Sequence, residues 1–252
     1  MPTLLIVSGM SRSGTSLLVD LLNSHPEIYV SYEFRSFANL NGYNHWHVFR
    51  PKGWNRRYLR KQTVAASRLF MLRYLLYTIP FLGRKISAEH LRRILHWMWP
   101  DKRLVGDKFP YYLFHLDEVV GIPDSRVVVI YRDCRDVVAS FYSRIQGDWK
   151  DRAWTKNRRT IEAITRRWVT AIEEMEKHRS EMFCLRYEDL VTEHEATVRK
   201  MARHLGVDAD GFQMNLIRDS SLGKYKRSLT PEQIAQIEGI AADTLRRLGY
   251  EV

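Results

Sequence analysis

Short apolar runs alternate with longer stretches of helical periodicity along the chain, the pattern of βαβ units feeding a mostly parallel sheet. Runs rich in Leu, Ile and Val predict strands over residues 3–8, 28–31, 103–106, 126–131 and 182–186. Apolar positions spaced three and four apart predict helices over 15–24, 87–99, 133–145, 160–178, 195–205 and 231–248. The last helix is punctuated at both ends: Thr230 stands at the N-cap, Pro231 at the first helical position, Gln233 closes a capping box, and Gly249 follows the end. No repeat, low-complexity tract or linker interrupts the pattern. An α/β fold in one domain over residues 1–252 is expected.

Charge sharpens this picture. Forty Lys and Arg against 29 Asp and Glu give a net +11, which points to an anionic ligand or partner and excludes an acidic disordered chain. Much of the excess sits between Arg50 and Arg103, where fourteen basic residues face only Glu89 and Asp101, a local +12. The same stretch carries Trp54, Tyr58, Phe70, Tyr74, Tyr77, Phe81, Trp97 and Trp99. It reads as a basic, aromatic helical insertion at about 40–100, either a cap over a site or a surface for a polyanion. The plainer account of most of its arginines is a solvated helix face. Cys134 and Cys184 form no Cys-x-x-Cys pair, so neither a disulfide scaffold nor a cysteine zinc site is expected. The apolar opening 1–7 lacks a basic leader region, and residues 69–82 contain Arg73 and Pro80 and fall short of the ~20 residues of a membrane span. A reducing, cytoplasmic setting is expected, with no membrane span.

Candidate chemistry concentrates at two strand ends. The segment Ser8-Gly9-Met10-Ser11-Arg12-Ser13-Gly14-Thr15-Ser16 follows an apolar strand and opens an apolar helix, the context in which backbone N–H groups cradle phosphate. Gly9 and Gly14 have the Walker A spacing, but Thr15 stands where that pattern has lysine, which argues against a nucleoside triphosphate. The basic group sits inside the loop, at Arg12. The second end is Arg132, after the run Val127–Tyr131, with Ser140 eight residues on and able to face the same anion. Asp133 is expected to cap the following helix; the alternative account of the arginines there is surface ion pairing.

These two elements together resemble the sulfotransferases that use 3′-phosphoadenosine 5′-phosphosulfate (PAPS). The resemblance implies a three-layer fold like that of the P-loop NTPases. It implies that Arg12, Ser13, Gly14, Thr15 and Ser16 hold the 5′-phosphosulfate, and that Arg132 and Ser140 hold the 3′-phosphate. Asp107-Lys108-Phe109-Pro110 resembles the family's Lys/His–Pro motif, Arg186-Tyr187-Glu188-Asp189-Leu190 its "YEDL" segment, whose tyrosine borders the adenine, and Arg218 with Gly223-Lys224-Tyr225-Lys226 its C-terminal 3′-phosphate loop. The segment from His25-Pro26 to Glu33-Phe34-Arg35 is similar to that of the bacterial and tyrosylprotein members, and puts the catalytic base on Glu33. Lys108 occupies the place of the histidine base of the phenol and steroid enzymes, so the nine histidines are read as structural or surface residues.

The implied reaction moves a sulfuryl group from PAPS to an acceptor hydroxyl of a carbohydrate, a tyrosine or a small metabolite. Glu33 is the general base, Arg12 and Lys108 stabilise the leaving oxygens, and Arg35 contacts the acceptor or orients Glu33. No metal is required, because Arg12 and Lys108 supply the positive charge. Two other readings of the same residues are a kinase with a displaced lysine and Asp133 as its acid, and a non-catalytic polyanion binder driven by the basic stretch. No nucleic-acid motif is present, so nucleic acid is not an expected partner.

Overall fold

The computed structural model describes residues 1–33, 87–218 and 222–252. Five parallel strands form its sheet: β1 (Thr3–Ser8), β2 (Ile28–Tyr32), β3 (Leu104–Lys108), β4 (Ser125–Tyr131) and β5 (Phe183–Arg186), in the order β2-β3-β1-β4-β5. Strand β1 lies at the centre, pairing Val7 with Lys108 on one side and Ser8 with Val129 on the other. Its apolar run is continuous because a parallel sheet is covered on both faces. Alternation then sorts the side chains: Leu4 and Ile6 enter one core, Leu5 and Val7 the other.

The helices form the two outer layers. Helix α1 (Thr15–Ser24), the short α5 (Tyr187–Thr192) and α6 (His194–Leu205) cover one face through Leu18, Leu22, Leu190, Val198 and Met201. Helices α2 (Ala88–Met98), α3 (Cys134–Gln146), α4 (Ile161–Lys177) and α7 (Pro231–Arg247) cover the other around Phe141 and the fully buried Trp168. Side-chain caps mark their starts, two of them, at Thr230 and Asp133, as expected. Thr230 and Gln233 form the expected capping box, Thr160 caps α4, Asp133 caps α3, and Ser87 caps α2 by accepting from the His90 N–H. Among the described residues, no helix is long and apolar enough to cross a membrane. Both cysteines are free.

One strand departs from its predicted bounds in a way that matters. Expected over 103–106, β3 runs on to Lys108 although Asp107 and Lys108 are charged. Both are buried, at 0 % and 1 % exposure, and both are satisfied: Tyr112 Oη donates to Asp107 Oδ1 at 3.0 Å and Lys108 Nζ to Glu33 Oε1 at 2.7 Å. Charges with such partners can end a buried strand. The two extra residues carry the lysine to the C-terminal edge of the sheet, between Val7 and Tyr32. The basic insertion at about 40–100 lies outside the described residues as far as residue 86; beyond it, α2 and β3 are the predicted elements.

Candidate active site

Strand β1 ends in a glycine loop whose backbone only a few residue types tolerate. Gly9 has φ +148° and Gly14 φ +95°, and both are hemmed in. A Cβ on Gly9 would meet the Ile130 carbonyl oxygen at 2.3 Å, and one on Gly14 the Tyr187 ring at 2.4 Å. Arg12 also sits at positive φ, +81°, a conformation that costs a non-glycine residue about 1–2 kcal/mol and is held in place by its surroundings. The Arg12 Nε–H donates to Ser140 Oγ on α3 at 2.9 Å. Ser13 is 1 % exposed, its N–H donates to the Met10 carbonyl, and its Oγ is buried without a partner among the described residues. Helix α1 has no side-chain cap at its N-terminus, so its first N–H groups and positive dipole end open toward Thr15 and Ser16, which line a cleft. These features suit an anion.

The neighbouring strands supply the second group. Glu33 follows β2 at φ +56°, and its N–H donates to the Lys108 carbonyl at 2.8 Å. The Lys108 ammonium donates back to the Glu33 carboxylate, with the two side chains only 1 % and 9 % exposed. The lysine also lies 5.7 Å from the Tyr32 ring, whose hydroxyl donates to Asp20. Because β2 and β3 are adjacent, this pair stands beside the glycine loop, on the wall of the same cleft.

Strand β4 supplies the third. Arg132 leaves its end buried, with its guanidinium 4.4 Å from the Tyr187 ring and its Nη2 donating to Asp136 Oδ2 at 2.7 Å. The Trp168 indole N–H holds the Arg132 carbonyl at 3.0 Å. Asp136 does more than pair with Arg132: its two oxygens also accept the N–H groups of Gly223 and Tyr225, both at 3.0 Å. A buried carboxylate therefore ties β4 to the C-terminal loop. Arg135 is bound by Asp133 and Glu238 and lies 4.8 Å from the Tyr225 ring. The ion pairs here are thus buried, unlike the surface pairs of the alternative account. Behind them the Tyr250 hydroxyl donates to Glu188, which accepts the Asp133 N–H as well; burial raises the Glu188 carboxyl above its ordinary range.

A cleft of about 770 Å³ joins these groups, lined by Arg12, Gly14, Thr15, Ser16, Glu33, Lys108, Arg132 and Tyr187. Ser13 lies beneath the loop and Ser140 touches the cleft through Arg12. Arg218 and Lys224 are exposed and are not on this wall, and Tyr225 meets the site through its backbone and Asp136. Arg35 lies outside the described residues. His25 is buried, its Nε2 against the Asp208 carbonyl and its Nδ1 accepting from Glu27, in keeping with a structural histidine. The sequence reading missed the rest of the lining, Tyr111, Phe114, Trp149, Trp154, Arg158 and Arg167, of which Trp149 lies with its ring 6.0 Å from the Arg12 guanidinium. Its signal was present: residues 148–159 crowd two tryptophans among basic residues.

The sequence profile of the Sulfotransferase family matches residues 2–211 of the chain. The chain belongs to that family. Solved structures agree on its fold. The sulfotransferase domain from the curacin biosynthetic pathway is 18% identical with a TM-score of 0.69, the match covering 100% of this chain and 99% of that one. The sulfotransferase domain of the Synechococcus PCC 7002 olefin synthase is 17% identical at a TM-score of 0.63, covering 100% and 96%. A mouse sulfotransferase complexed with PAP, adenosine 3′,5′-bisphosphate, is 12% identical at 0.52, covering 97% and 85%. A search of curated proteins finds no match. The parallel sheet and its glycine loop are therefore those of a sulfotransferase, and the protein is a transferase of sulfuryl groups.

Proposed function

We propose that this sulfotransferase takes its sulfuryl group from PAPS and passes it to an acceptor hydroxyl, with Glu33 as general base. The observation that carries the reading is convergence. The Arg12 loop, the Lys108–Glu33 pair and the Arg132–Tyr187 pair open on one cleft from three neighbouring strand ends. The fit to the donor rests on features that each want an anion or a flat ring: the uncapped α1 N-terminus, the orphaned Ser13 hydroxyl, and a buried arginine stacked on tyrosine. PAPS would supply an activated sulfuryl group, whose S–O bond to the phosphate breaks as one to the acceptor oxygen forms.

The chain's own residues do the rest. Arg12, Ser13, Gly14, Thr15 and Ser16 bind and orient the phosphosulfate arm, and Arg132, with Ser140, Arg218 and Lys224, serves the 3′-phosphate. Tyr187 borders the adenosine, and Tyr225 belongs to the C-terminal loop that serves the 3′-phosphate. Arg12 and Lys108 place fixed cations where charge accumulates on the leaving oxygens. Glu33 accepts the acceptor's proton, and its bond to Lys108 keeps it aimed. The acceptor is a small-molecule, carbohydrate or peptide hydroxyl, and Arg35 lies near enough in sequence to Glu33 to contact it.

Incubation with ³⁵S-labelled PAPS and a panel of phenolic, carbohydrate and peptide alcohols tests this. Wild type is expected to label at least one of them, and Glu33→Gln to lose turnover by about 10²–10⁴-fold while retaining donor binding. Turnover near wild type in Glu33→Gln would remove Glu33 from the mechanism.

A further inference from the structure

The described residues that line the cleft include six cations, Arg12, Lys108, Arg132, Arg152, Arg158 and Arg167, against one carboxylate, Glu33. Lys108 holds Glu33 and Arg132 holds Asp136. The donor reading uses the first three cations. Arg152, which is exposed, Arg158 and Arg167 remain, and no carboxylate among the described residues pairs with Arg158 or Arg167. The undescribed residues 34–86 contain neither Asp nor Glu, so that long stretch has no carboxylate to offer; the other, 219–221, contains only Asp219.

Their placement is specific. Arg167 projects from α4, with its guanidinium 3.8 Å from the Phe114 ring. Phe114 ends the turn Pro110–Phe114, which is separated from Lys108 by Phe109 alone. Arg158 lies 5.9 Å from the Trp154 ring. The two arginines repel each other: burial and then Arg158 pull the Arg167 pKa down to about 10, and burial lowers that of Arg158. Each arginine thus has an aromatic face, which gives it no full counter-charge. Two partly desolvated, mutually repelling guanidiniums on a cleft wall are stabilised by a shared anion, which such forks bind in paired hydrogen bonds.

We infer that Arg158 and Arg167 form an anion subsite on the acceptor side of the cleft, so that the acceptor carries a carboxylate or phosphate-type group on an apolar body beside its hydroxyl. The apolar body lies against Phe114, Trp154 and Tyr111. This inference rests on the sulfuryl-transfer reading for the word acceptor, but the anion site itself does not depend on PAPS.

Calorimetry with three matched probe pairs tests it: 4-hydroxyphenylacetate, 3-hydroxydecanoate and (4-hydroxybenzyl)phosphonate, each against its neutral ester, with PAP present and absent. Wild type is expected to bind at least one anion tenfold or more tighter than its ester, and the pair that shows the preference tells carboxylate from phosphate-type recognition. In the Arg158→Gln/Arg167→Gln variant the preference should fall below about twofold, in Arg158→Lys/Arg167→Lys it should partly survive, and PAP affinity should be unchanged in both. No preference in wild type for any pair overturns the inference, whether or not the variants fold. So does a preference that survives the glutamine pair, or a loss of PAP affinity there, which would assign the arginines to the donor. Failure of PAP to bind wild type with the anion preference intact would sink the donor reading and leave this subsite standing.

Discussion

Replacing Asp136 by asparagine removes a charge and almost no volume from the junction between β4 and the C-terminal loop. In the native fold its carboxylate accepts from Arg132, Gly223 and Tyr225, and the Asp136 and Arg132 side chains are only 2 % and 7 % exposed. The variant leaves a buried guanidinium without its counter-ion, a loss of about 3–5 kcal/mol when one partner of such a pair is removed. An asparagine oxygen can keep one backbone N–H, so the second adds about 1 kcal/mol only if water stays out. For a chain of this size each kcal/mol moves Tm by about 2–4 °C, so the expected drop is roughly 6–20 °C. The decisive assay is a double-mutant cycle by urea denaturation. Arg132→Met alone leaves Asp136 still bonded to two amides, and the double variant removes both charges together. The pair should therefore show a favourable coupling of about 2–3 kcal/mol. Additive effects, or an Asp136→Asn variant that melts with wild type, would refute the idea that this ion pair joins the strand end to the loop.

Two further outcomes follow from single sites. Gly14→Ala puts a methyl group into the Tyr187 ring at a left-handed φ, so it should express poorly or lose about 3 kcal/mol or more, and any folded protein should bind PAP weakly; wild-type stability and PAP affinity together would contradict the close packing of loop and ring. The His204 imidazole is pushed below its ordinary pKa by burial and by Arg126. Its folded pKa is depressed, so the unfolded chain takes the proton more readily and stability falls as pH drops below about 6.5 and through the folded value. Melting curves from pH 8 to 5 should therefore slope less steeply in His204→Gln than in wild type, and parallel profiles would show that His204 does not contribute.

What the sequence made legible was local. The glycine loop could be read because Gly9, Arg12 and Gly14 follow β1 and open α1 without a break, and Arg132 because a fully buried strand is a run of Val and Ile that must end somewhere. The Lys108–Glu33 contact depends on β3 inserting between β2 and β1, and no spacing of residues 75 apart encodes that adjacency. A family resemblance named both residues; their pairing came from the sheet. Asp136 was half legible, since it stands one helical turn from Arg132, but its bonds to Gly223 and Tyr225 close over 87 and 89 residues. Arg158 and Arg167 escaped notice because Arg158 belongs to an irregular stretch without periodicity, and Arg167 lies on an amphipathic helix where a basic residue reads as part of the solvated face.

The proposed recognition of the two ends of one nucleotide by separate groups is tested by calorimetric titration with PAP and with adenosine 5′-phosphate. Wild type should bind PAP at least a hundredfold more tightly, and Arg132→Ala should erase most of that difference while leaving the 5′-phosphate affinity within a few-fold. Equal affinities for the two nucleotides in wild type, or equal losses for both in Arg132→Ala, would contradict it.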